Sequence, residues 1–351
     1  MYHYAGIDVS LECSSVCLVD GAGKILRETK VLSEPEALIG WFGSLGLTCE
    51  RIGLEAGPLS QWLYAAMRDA GLAVELLETR HVRDAFKAMP VKSDRNDARG
   101  IAQLMRLGWF RPVHCKSVAS QETRAILTAR KLLQSKLQDV ENSLRGVLRG
   151  FGLKVGKTTE RTFAERIREL VAGHPGLELV AKALLQAHAV LLQEFKSLDR
   201  HTQKLARAQP SAKLLMTTPS VGPIVALTYA AAIDDPKRFR SSKATGAHFG
   251  LTPRKYQSGE TDYTGRISKI GDASVREALY QAAHVMLTKP LKNCSALKSW
   301  AMRIANRAGM RKAKVALARK LAVILHRMLA DAKPFNPEVK NKAKVIAMAA
   351  T

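Results

Sequence analysis

Four acidic residues stand where separate segments of a folded chain can bring carboxylates together. Asp8 lies in the strand-like stretch YAGIDV, and Glu55 closes a second such stretch, RIGLE. Asp94 and Asp97 follow in KSDRNDARG, three residues apart, so a helix at this point puts both on one face. Side chains at the strand ends of an α/β sheet meet around one crevice, so we expect the four acids to converge.

Four neighbouring carboxylates repel one another unless cations neutralise them. Their oxygens are hard ligands that suit Mg²⁺ or Mn²⁺, and two such ions about 3.5–4 Å apart clamp the attacking and leaving oxygens of a phosphodiester. The acids therefore predict a Mg²⁺ (or Mn²⁺) site, and the cations beside them, Lys92, Arg95 and Arg99, are predicted to contact the nucleic acid strand. A simpler interpretation stays open for one pair, with Asp94 as a helix N-cap and Asp97 as an acid of its first turn.

A serine stands in the most polar part of the chain. Ser258 lies in YQSGE, within residues 249–279, and Gly259 leaves the backbone free to turn and the hydroxyl accessible. A serine can attack a phosphodiester when nearby cations stabilise the charge of the transition state. The cations close to it in sequence are Arg254, Lys255, Arg266, Lys269 and Arg276. Taken by itself, the pattern favours an ordinary turn serine over a nucleophile.

The charge of the chain indicates a polyanionic partner. Its 351 residues carry 55 Lys and Arg against 31 Asp and Glu, a net charge of +24. Residues 1–100 hold 11 basic and 14 acidic residues, whereas residues 289–346 hold 15 basic and two acidic ones. A cationic surface of this size most often faces nucleic acid, and a solvated basic surface is the plainer alternative.

The remaining composition limits the class of protein. Five cysteines are scattered without paired zinc spacing, which predicts free thiols in a reducing cytoplasm. No run approaches the roughly 18 apolar residues of a membrane span, and the N-terminal MYHYAGID enters a strand pattern rather than a signal peptide. We therefore expect a cytoplasmic protein with no membrane partner.

Alternating apolar residues and turn signals predict an α/β domain over residues 1–115. The predicted strands are 4–9, 14–19, 24–31, 51–55 and 72–77, and the predicted helices are 34–46, 59–70 and 94–107. Three strands followed by strand–helix–strand indicate a mixed sheet.

Residues 116–210 are predicted to form a helical coiled-coil region. Two apolar seams with heptad-like spacing flank a glycine-rich segment, which indicates an antiparallel coiled-coil arm or a dimerisation element, with an ordinary helical bundle as the alternative. The seams are Leu133, Leu137, Val140, Leu144, Val147 and Phe151, and then Leu184, Leu191, Phe195, Leu198 and Leu205.

Residues 211–335 are predicted to form a mainly α C-terminal domain. The stretch MTTPSVGPIVALTYAAAID, from Met216, has the pattern of a helix-hairpin-helix-like element whose turn amides can face a phosphate. Further helices are expected at 274–287 and 296–330, and residues 336–351 are predicted to be a basic tail.

Several motifs together resemble a known family. GIDVS, GLEAG and KSDRNDARGIAQLM match, in order and spacing, the DEDD-type, RuvC-like domain of the transposases of IS110 insertion sequences, and LLQSKLQDVENSLRGVLRGFGLKVG is similar to the IS1111 branch. The resemblance spans nearly the whole chain. It implies an α/β RuvC/RNase H-like N-terminal domain and a C-terminal transposase domain with Ser258 as the covalent nucleophile. It also implies that the catalytic metal ligands are Asp8, Glu55, Asp94 and Asp97.

The resemblance further implies a mechanism and a set of partners. The serine of one subunit acts beside the metal site of another, in a homodimer or homotetramer at the bacterial nucleoid, and strands of element and target DNA are exchanged. A non-coding bridge RNA from the element's ends pairs with both DNAs and supplies the sequence specificity. Two other functions stay open: a RuvC-like nuclease or junction resolvase without a covalent intermediate, and a nucleic-acid-binding protein without activity.

Overall fold

The computed structural model describes residues 2–88 and 91–337 and divides the chain into two compact units. The first unit ends at Ser117 and the second begins at Val118. Each is built around apolar clusters of its own. Most of the predicted basic tail, residues 338–351, lies outside the described residues.

The first unit is a five-stranded mixed sheet with helices. Its strands are β1 (His3–Asp8), β2 (Cys13–Asp20), β3 (Ile25–Leu32), β4 (Arg51–Glu55) and β5 (Val74–Leu77), in the spatial order β3-β2-β1-β4-β5. β1, β4 and β5 are parallel, whereas β2 is antiparallel to β1 and β3. Its helices are α1 (Pro35–Ser44), α2 (Ser60–Asp69), α3 (Thr79–Ala85) and α4 (Asp94–Leu107). The mixed sheet, its five predicted strands and the three predicted helices are confirmed, with ends that shift by two residues at most.

Successive residues of each central strand face opposite sides of the sheet and pack against different helices. Ala5 and Ile7 of β1 are buried with Leu38 of α1 and Leu63 of α2. The other side of β1, at Gly6, lies directly under α4. The sheet is therefore covered on both faces, as expected for parallel central strands.

Two glycines allow α4 to lie on the backbone of the sheet. Gly6 of β1 and Gly53 of β4 are register partners in neighbouring parallel strands. A Cβ at Gly6 would lie 2.2 Å from the carbonyl oxygen of Ala98 and 2.4 Å from the backbone nitrogen of Ala102. A Cβ at Gly53 would lie 2.6 Å from Ile101 Cγ2. A larger residue at Gly6 must displace the helix, because backbone atoms cannot turn aside as a flexible side chain can.

The second unit is helical apart from one hairpin. Its helices are α5 (Val118–Gly150), α6 (Glu160–Val171), α7 (Pro175–Ala208), α8 (Pro210–Leu215), α9 (Pro223–Ile233), α10 (Ala244–His248), α11 (Ala273–Thr288), α12 (Ser295–Ala308) and α13 (Met310–Asp331). Its strands, β6 (Pro253–Ser258) and β7 (Thr261–Ile267), pair antiparallel. The sequence pattern does not predict this hairpin, because β6 is exposed along its whole length and shows no apolar alternation.

The two longest helices, α5 and α7, pack against each other, and α6 joins them at one end. Leu144 and Leu148 of α5 are buried there with Phe163 of α6. The predicted seam of α5 is wrong at this end, since Val147 is 39% exposed and Phe151 is 64% exposed. Leu148, which is outside the predicted seam, is buried instead, in the same cluster as Phe163 of α6.

By length and mean hydropathy, α7 is the one helix among the described residues that could cross a membrane. Its mean hydropathy over the apolar window is 1.2. Leu177, Ala181 and Leu185 of this helix are buried in the cluster with α5 and α6, so its apolar stripe serves helix packing.

The core of the second unit surrounds α9, whose residues 226–233 are all buried. The predicted helix-hairpin-helix-like element needs a correction. Its first helix, α8, ends at Leu215, before Met216, so residues 216–222 form the turn between α8 and α9. The single helix predicted over 296–330 is also wrong. Gly309 takes a positive φ of 87° and separates α12 from α13.

Gly6→Val is expected to lower the free energy of unfolding by about 3 kcal/mol or more. The added side chain would clash with the backbone of α4, and no change of side-chain rotamer removes that clash. Urea denaturation followed by circular dichroism measures the change. Gly40→Ala is the control, because an added Cβ there, on exposed α1, meets nothing within 4 Å. That variant should be neutral or more stable by about 0.5–1 kcal/mol. An unchanged midpoint for Gly6→Val would contradict the packing described for α4.

Candidate functional site

The packing of α4 brings its first turn to the end of the sheet that carries Asp8 and Glu55. Asp8 is two residues beyond Gly6, and Glu55 is two residues beyond Gly53, so both carboxylates lie on the side that α4 covers. α4 begins at Asp94 and then passes over the two glycines. Three elements that are far apart in sequence therefore meet at one edge.

Asp8 and Glu55 interact with neighbouring carboxylates strongly enough to change their own ionisation. Burial, and then the negative charges of Asp97 and Asp94, raise the pKa of Asp8 to about 6. Burial, and then the charges of Asp8 and Asp97, raise the pKa of Glu55. The ammonium group of Lys92 opposes both shifts. The structure thus brings the predicted acids together as one electrostatic cluster, whose repulsion a bound cation would relieve.

The N-cap of α4 is Ser93, so the simpler interpretation of Asp94 as the cap is wrong. The Ser93 side chain accepts a hydrogen bond from the backbone nitrogen of Asn96 at 3.3 Å. Asp94 and Asp97 occupy the first turn, where the helix dipole favours negative charge. The start of the helix therefore does not use the Asp94 carboxylate as its cap.

The carboxylate oxygens of the four acids are ligands that suit a hard divalent cation, although the four side chains do not converge on one point. A cavity of about 330 Å³ at the ends of β1 and β4 is lined by Asp8, Glu55 and Ser10, among others. These acids offer oxygen donors, which Mg²⁺ and Mn²⁺ prefer. Across residues 2–88 and 91–337, no group of three or more His, Cys, Asp or Glu side chains is close enough to hold a metal ion. Joint ligation by the four acids therefore requires side chains to move.

Arg95, between the two aspartates, and Arg99, two residues after Asp97, are bound within the first unit. Arg95 Nε donates to Glu28 Oε2 at 2.9 Å, and Arg99 Nη2 donates to the same oxygen at 2.8 Å. The hydrogen bond from Arg99 is the largest of the effects that lower the pKa of Glu28 to about 2. In this structure the two arginines hold α4 to β3, and contact between them and a nucleic acid strand stays a prediction. Sequence spacing gives no sign of this, because Glu28 precedes them by 67 and 71 residues.

Ser258 lies at the tip of the β6–β7 hairpin. It is the last residue of β6 and pairs with Thr261, so the turn consists of Gly259 and Glu260. Gly259 has a φ of +54° at the first turn position, where type II′ hairpins favour glycine. Ser258 is exposed, and in the described part of the chain its hydroxyl has no hydrogen-bond partner. An incoming phosphate can reach this hydroxyl without displacing protein.

Three of the five cations predicted around Ser258 are engaged within their own unit. Arg276 donates to the backbone carbonyl oxygens of Phe249, Ile270 and Gly271. Lys255 pairs with Asp262 at 3.2 Å, and Arg254 donates to the carbonyl oxygen of Ser268 at 3.3 Å. Arg276 thus supports the backbone in this structure, and binding of nucleic acid by these three side chains stays a prediction.

The other two predicted cations, Arg266 and Lys269, line a wide groove beside the hairpin. The same groove is lined by Trp300 of α12 and by basic residues of α13, which the sequence analysis did not single out. Their signal in the sequence was the recurrence of Lys and Arg at helical spacing between residues 311 and 320.

The chain matches transposases over parts of both units. A family model described as a transposase, of the DEDD type of IS110 elements, matches residues 5–152, and a model described as the transposase IS116/IS110/IS902 family matches residues 212–299. The transposase for insertion sequence element IS1111A of Coxiella burnetii (strain RSA 493 / Nine Mile phase I) is 29% identical, over 92% of this chain and 88% of that protein. The transposase for insertion sequence element IS1328 of Yersinia enterocolitica is 25% identical, over 78% of this chain and 81% of that protein.

A solved structure of T. thermophilus RuvC in complex with a Holliday junction substrate is also similar. It is 16% identical, with a TM-score of 0.25, and the match covers 32% of this chain and 100% of that chain.

Asp8→Asn is expected to stabilise the metal-free protein near pH 8. The pKa of Asp8 is about 6 in the folded chain against an ordinary value of 3.8, so the charged form is disfavoured by folding. The penalty is absent below about pH 4, grows as the pH rises toward 6 and is constant above it. A shift of this size corresponds to at most about 3 kcal/mol, which solvent screening reduces.

Urea denaturation in EDTA at pH 4 and pH 8 measures this difference. Asp69→Asn, an exposed position at the end of α2, is the control and should change the free energy of unfolding by no more than about 0.5 kcal/mol. A variant Asp8→Asn that is no more stable than the parent at pH 8 would show that the carboxylates do not repel one another as described.

Proposed function

The chain belongs to the IS110 family of insertion-sequence transposases, and we propose that it cuts and rejoins DNA strands with Ser258 as the nucleophile. The observation that carries the proposal is the carboxylate cluster at the end of β1, β4 and α4, where mutual repulsion helps to raise the pKa of Asp8 to about 6. Bringing these carboxylates together lowers the free energy of unfolding. A reaction on a phosphodiester that needs a cation at this position would account for their being kept together.

The proposed step at Ser258 forms one bond and breaks one. The Ser258 oxygen bonds to phosphorus, and the bond from phosphorus to one strand oxygen breaks. The hydroxyl proton is released, and the departing strand end takes up a proton and leaves as an alcohol. The phosphoserine ester keeps the energy of the broken linkage, so an alcohol end of another strand can reverse the step and be joined. The exposed hydroxyl at the hairpin tip supports this role.

We propose that Asp8, Glu55, Asp94 and Asp97 hold a divalent cation, Mg²⁺ or Mn²⁺. When bound, such an ion would stabilise negative charge on a phosphate. The RuvC-like DEDD class to which the first domain belongs typically uses divalent ions, and the oxygen donors suit them. The contribution of the chain is to keep four carboxylates at one edge through the packing of α4, and to temper their repulsion with Lys92.

An element-encoded bridge RNA that selects donor and target DNA, and a homodimer or homotetramer that holds two DNA partners, complete the proposal. The family resemblance suggests both, and the net charge of +24 is suited to binding two kinds of nucleic acid. Base pairing would then supply the sequence specificity, while the protein contacts backbone and shape.

One observation favours the alternative of a metal-dependent nuclease or junction resolvase without a covalent intermediate. Arg276, Arg254 and Lys255 are engaged within their own unit, which leaves fewer free cations to stabilise a charge at Ser258. In that case the carboxylates alone would activate water, and Ser258 would be a turn residue.

Ser258→Ala is expected to abolish covalent attachment and to lower strand cleavage at least about 10³-fold, because no other group replaces the attacking oxygen. The full chain is incubated with Mg²⁺, DNA spanning the element ends and RNA transcribed from them. It is then denatured and digested, and mass spectrometry identifies the residue that carries a nucleotide. Ser241→Ala, at another exposed serine of the same unit, is the control and should keep the adduct. Full cleavage by Ser258→Ala, with no adduct in the parent, would establish the nuclease alternative.

A further inference from the structure

A groove of about 1160 Å³ lies between the β6–β7 hairpin and helices α12 and α13. Six cationic side chains line it: Arg266, Lys269, Arg311, Lys312, Arg319 and Lys320. None of the described residues that line it is acidic. Six like charges around one cavity repel one another, and a polyanion that enters it removes this cost. The groove is therefore suited to phosphates.

The cations of α13 that line the groove recur along the length of the helix. Arg311 and Arg319, and beside them Lys312 and Lys320, are eight residues apart, which is about 12 Å along the axis. Between them the groove is lined by short apolar side chains such as Val315. This spacing lets successive phosphates of one strand meet separate cations and leaves apolar surface between them.

Aromatic rings lie among these cations. Tyr263 of β7 is 63% exposed, and a Cβ at Gly265 would lie 3.1 Å from its hydroxyl oxygen, so the ring leans along the strand over a residue without a side chain. Trp300 of α12 also lines the groove, and Lys320 Nζ lies 4.2 Å from the centroid of its ring. Trp300 is half-buried, whereas Tyr263 is an exposed ring beside cations, the arrangement on which an unpaired base stacks.

We propose that this groove binds a single-stranded segment of nucleic acid, with its phosphates on the cations and an unstacked base against Tyr263. A duplex also offers phosphates, but its bases are paired and stacked and cannot reach an aromatic ring. Ser258 pairs with Thr261, two residues along β7 from Tyr263, which is about 7 Å. Among the residues of β7 that line the groove, Tyr263 is the nearest to this position, so we infer that the bound strand runs from the groove toward the serine. Only this direction rests on the proposed function, because binding in the groove needs no reaction at Ser258.

The test is equilibrium binding of the full chain to fluorescent oligonucleotides of about 12 nucleotides, as single-stranded DNA, single-stranded RNA and duplex DNA. Tyr263→Leu is expected to weaken single-strand binding about tenfold, with duplex binding and the salt dependence unchanged. Phe151→Leu is the matched control, since Phe151 is 64% exposed and lies at the end of α5. It should bind as the parent does.

The salt dependence tests the cations separately. The double variant Arg311→Gln/Lys312→Gln should reduce the slope of log K against log salt by about 1.4, because two phosphate contacts are lost. Lys182→Gln/Lys204→Gln removes the same charge from exposed positions of α7 and should leave the slope nearly unchanged.

Tighter binding of either DNA or RNA single strands supports the groove and identifies which strand it takes. Equal single-strand binding by Tyr263→Leu, an equal loss for the duplex, or an equal change of slope in the α7 variant would overturn it. Ser258→Ala should keep every binding constant. A failure of the serine chemistry is therefore distinguishable from a failure of the groove.

Discussion

The close contact between α4 and the backbone of β1 and β4 is the constraint on which the acidic site depends. Gly6 and Gly53 face each other in register, and a Cβ at Gly6 would come within 2.2 Å of the helix backbone. Because the next residues on the same side are Asp8 and Glu55, the spacing that lets the helix approach also fixes where the carboxylates stand. In each of the motifs GIDVS and GLEAG, the glycine that lets α4 approach the sheet is therefore two residues before the acid of the candidate site.

The two candidate sites differ in what they demand of the fold. Asp8 and Glu55 of the carboxylate cluster are half-buried, and repulsion from the neighbouring carboxylates opposes folding. The hairpin with Ser258 is exposed and carries no such electrostatic cost. Its requirement is geometric, since Gly259 at positive φ turns the chain in two residues and keeps the hydroxyl at the tip. A substitution of Asp8 or Glu55 is thus expected to change stability, whereas a substitution of the exposed Ser258 side chain is not.

The net charge of +24 is divided between structural and binding roles. Arg95 and Arg99 neutralise Glu28, and Arg276 binds backbone carbonyl oxygens. The cations of the groove beside α13 have no acidic neighbour among its described lining residues. A cation that is close to a motif in sequence is therefore often engaged elsewhere in the fold. The cations without an acidic neighbour indicate more about ligand binding than the net charge does.

The sequence alone determined the strands, the helix that begins at Asp94 and the set of four acids, because period-two and period-3.6 patterns are local properties of the chain. It did not predict the β6–β7 hairpin, whose exposed strands lack alternation, or the break at Gly309. Nor did it identify Glu28 as the partner of Arg95 and Arg99, or the groove that joins Tyr263 to α13. The partner of the two arginines and the groove depend on contacts between residues that are distant in the chain, and only the tertiary structure decides which of many possible partners a charged side chain meets.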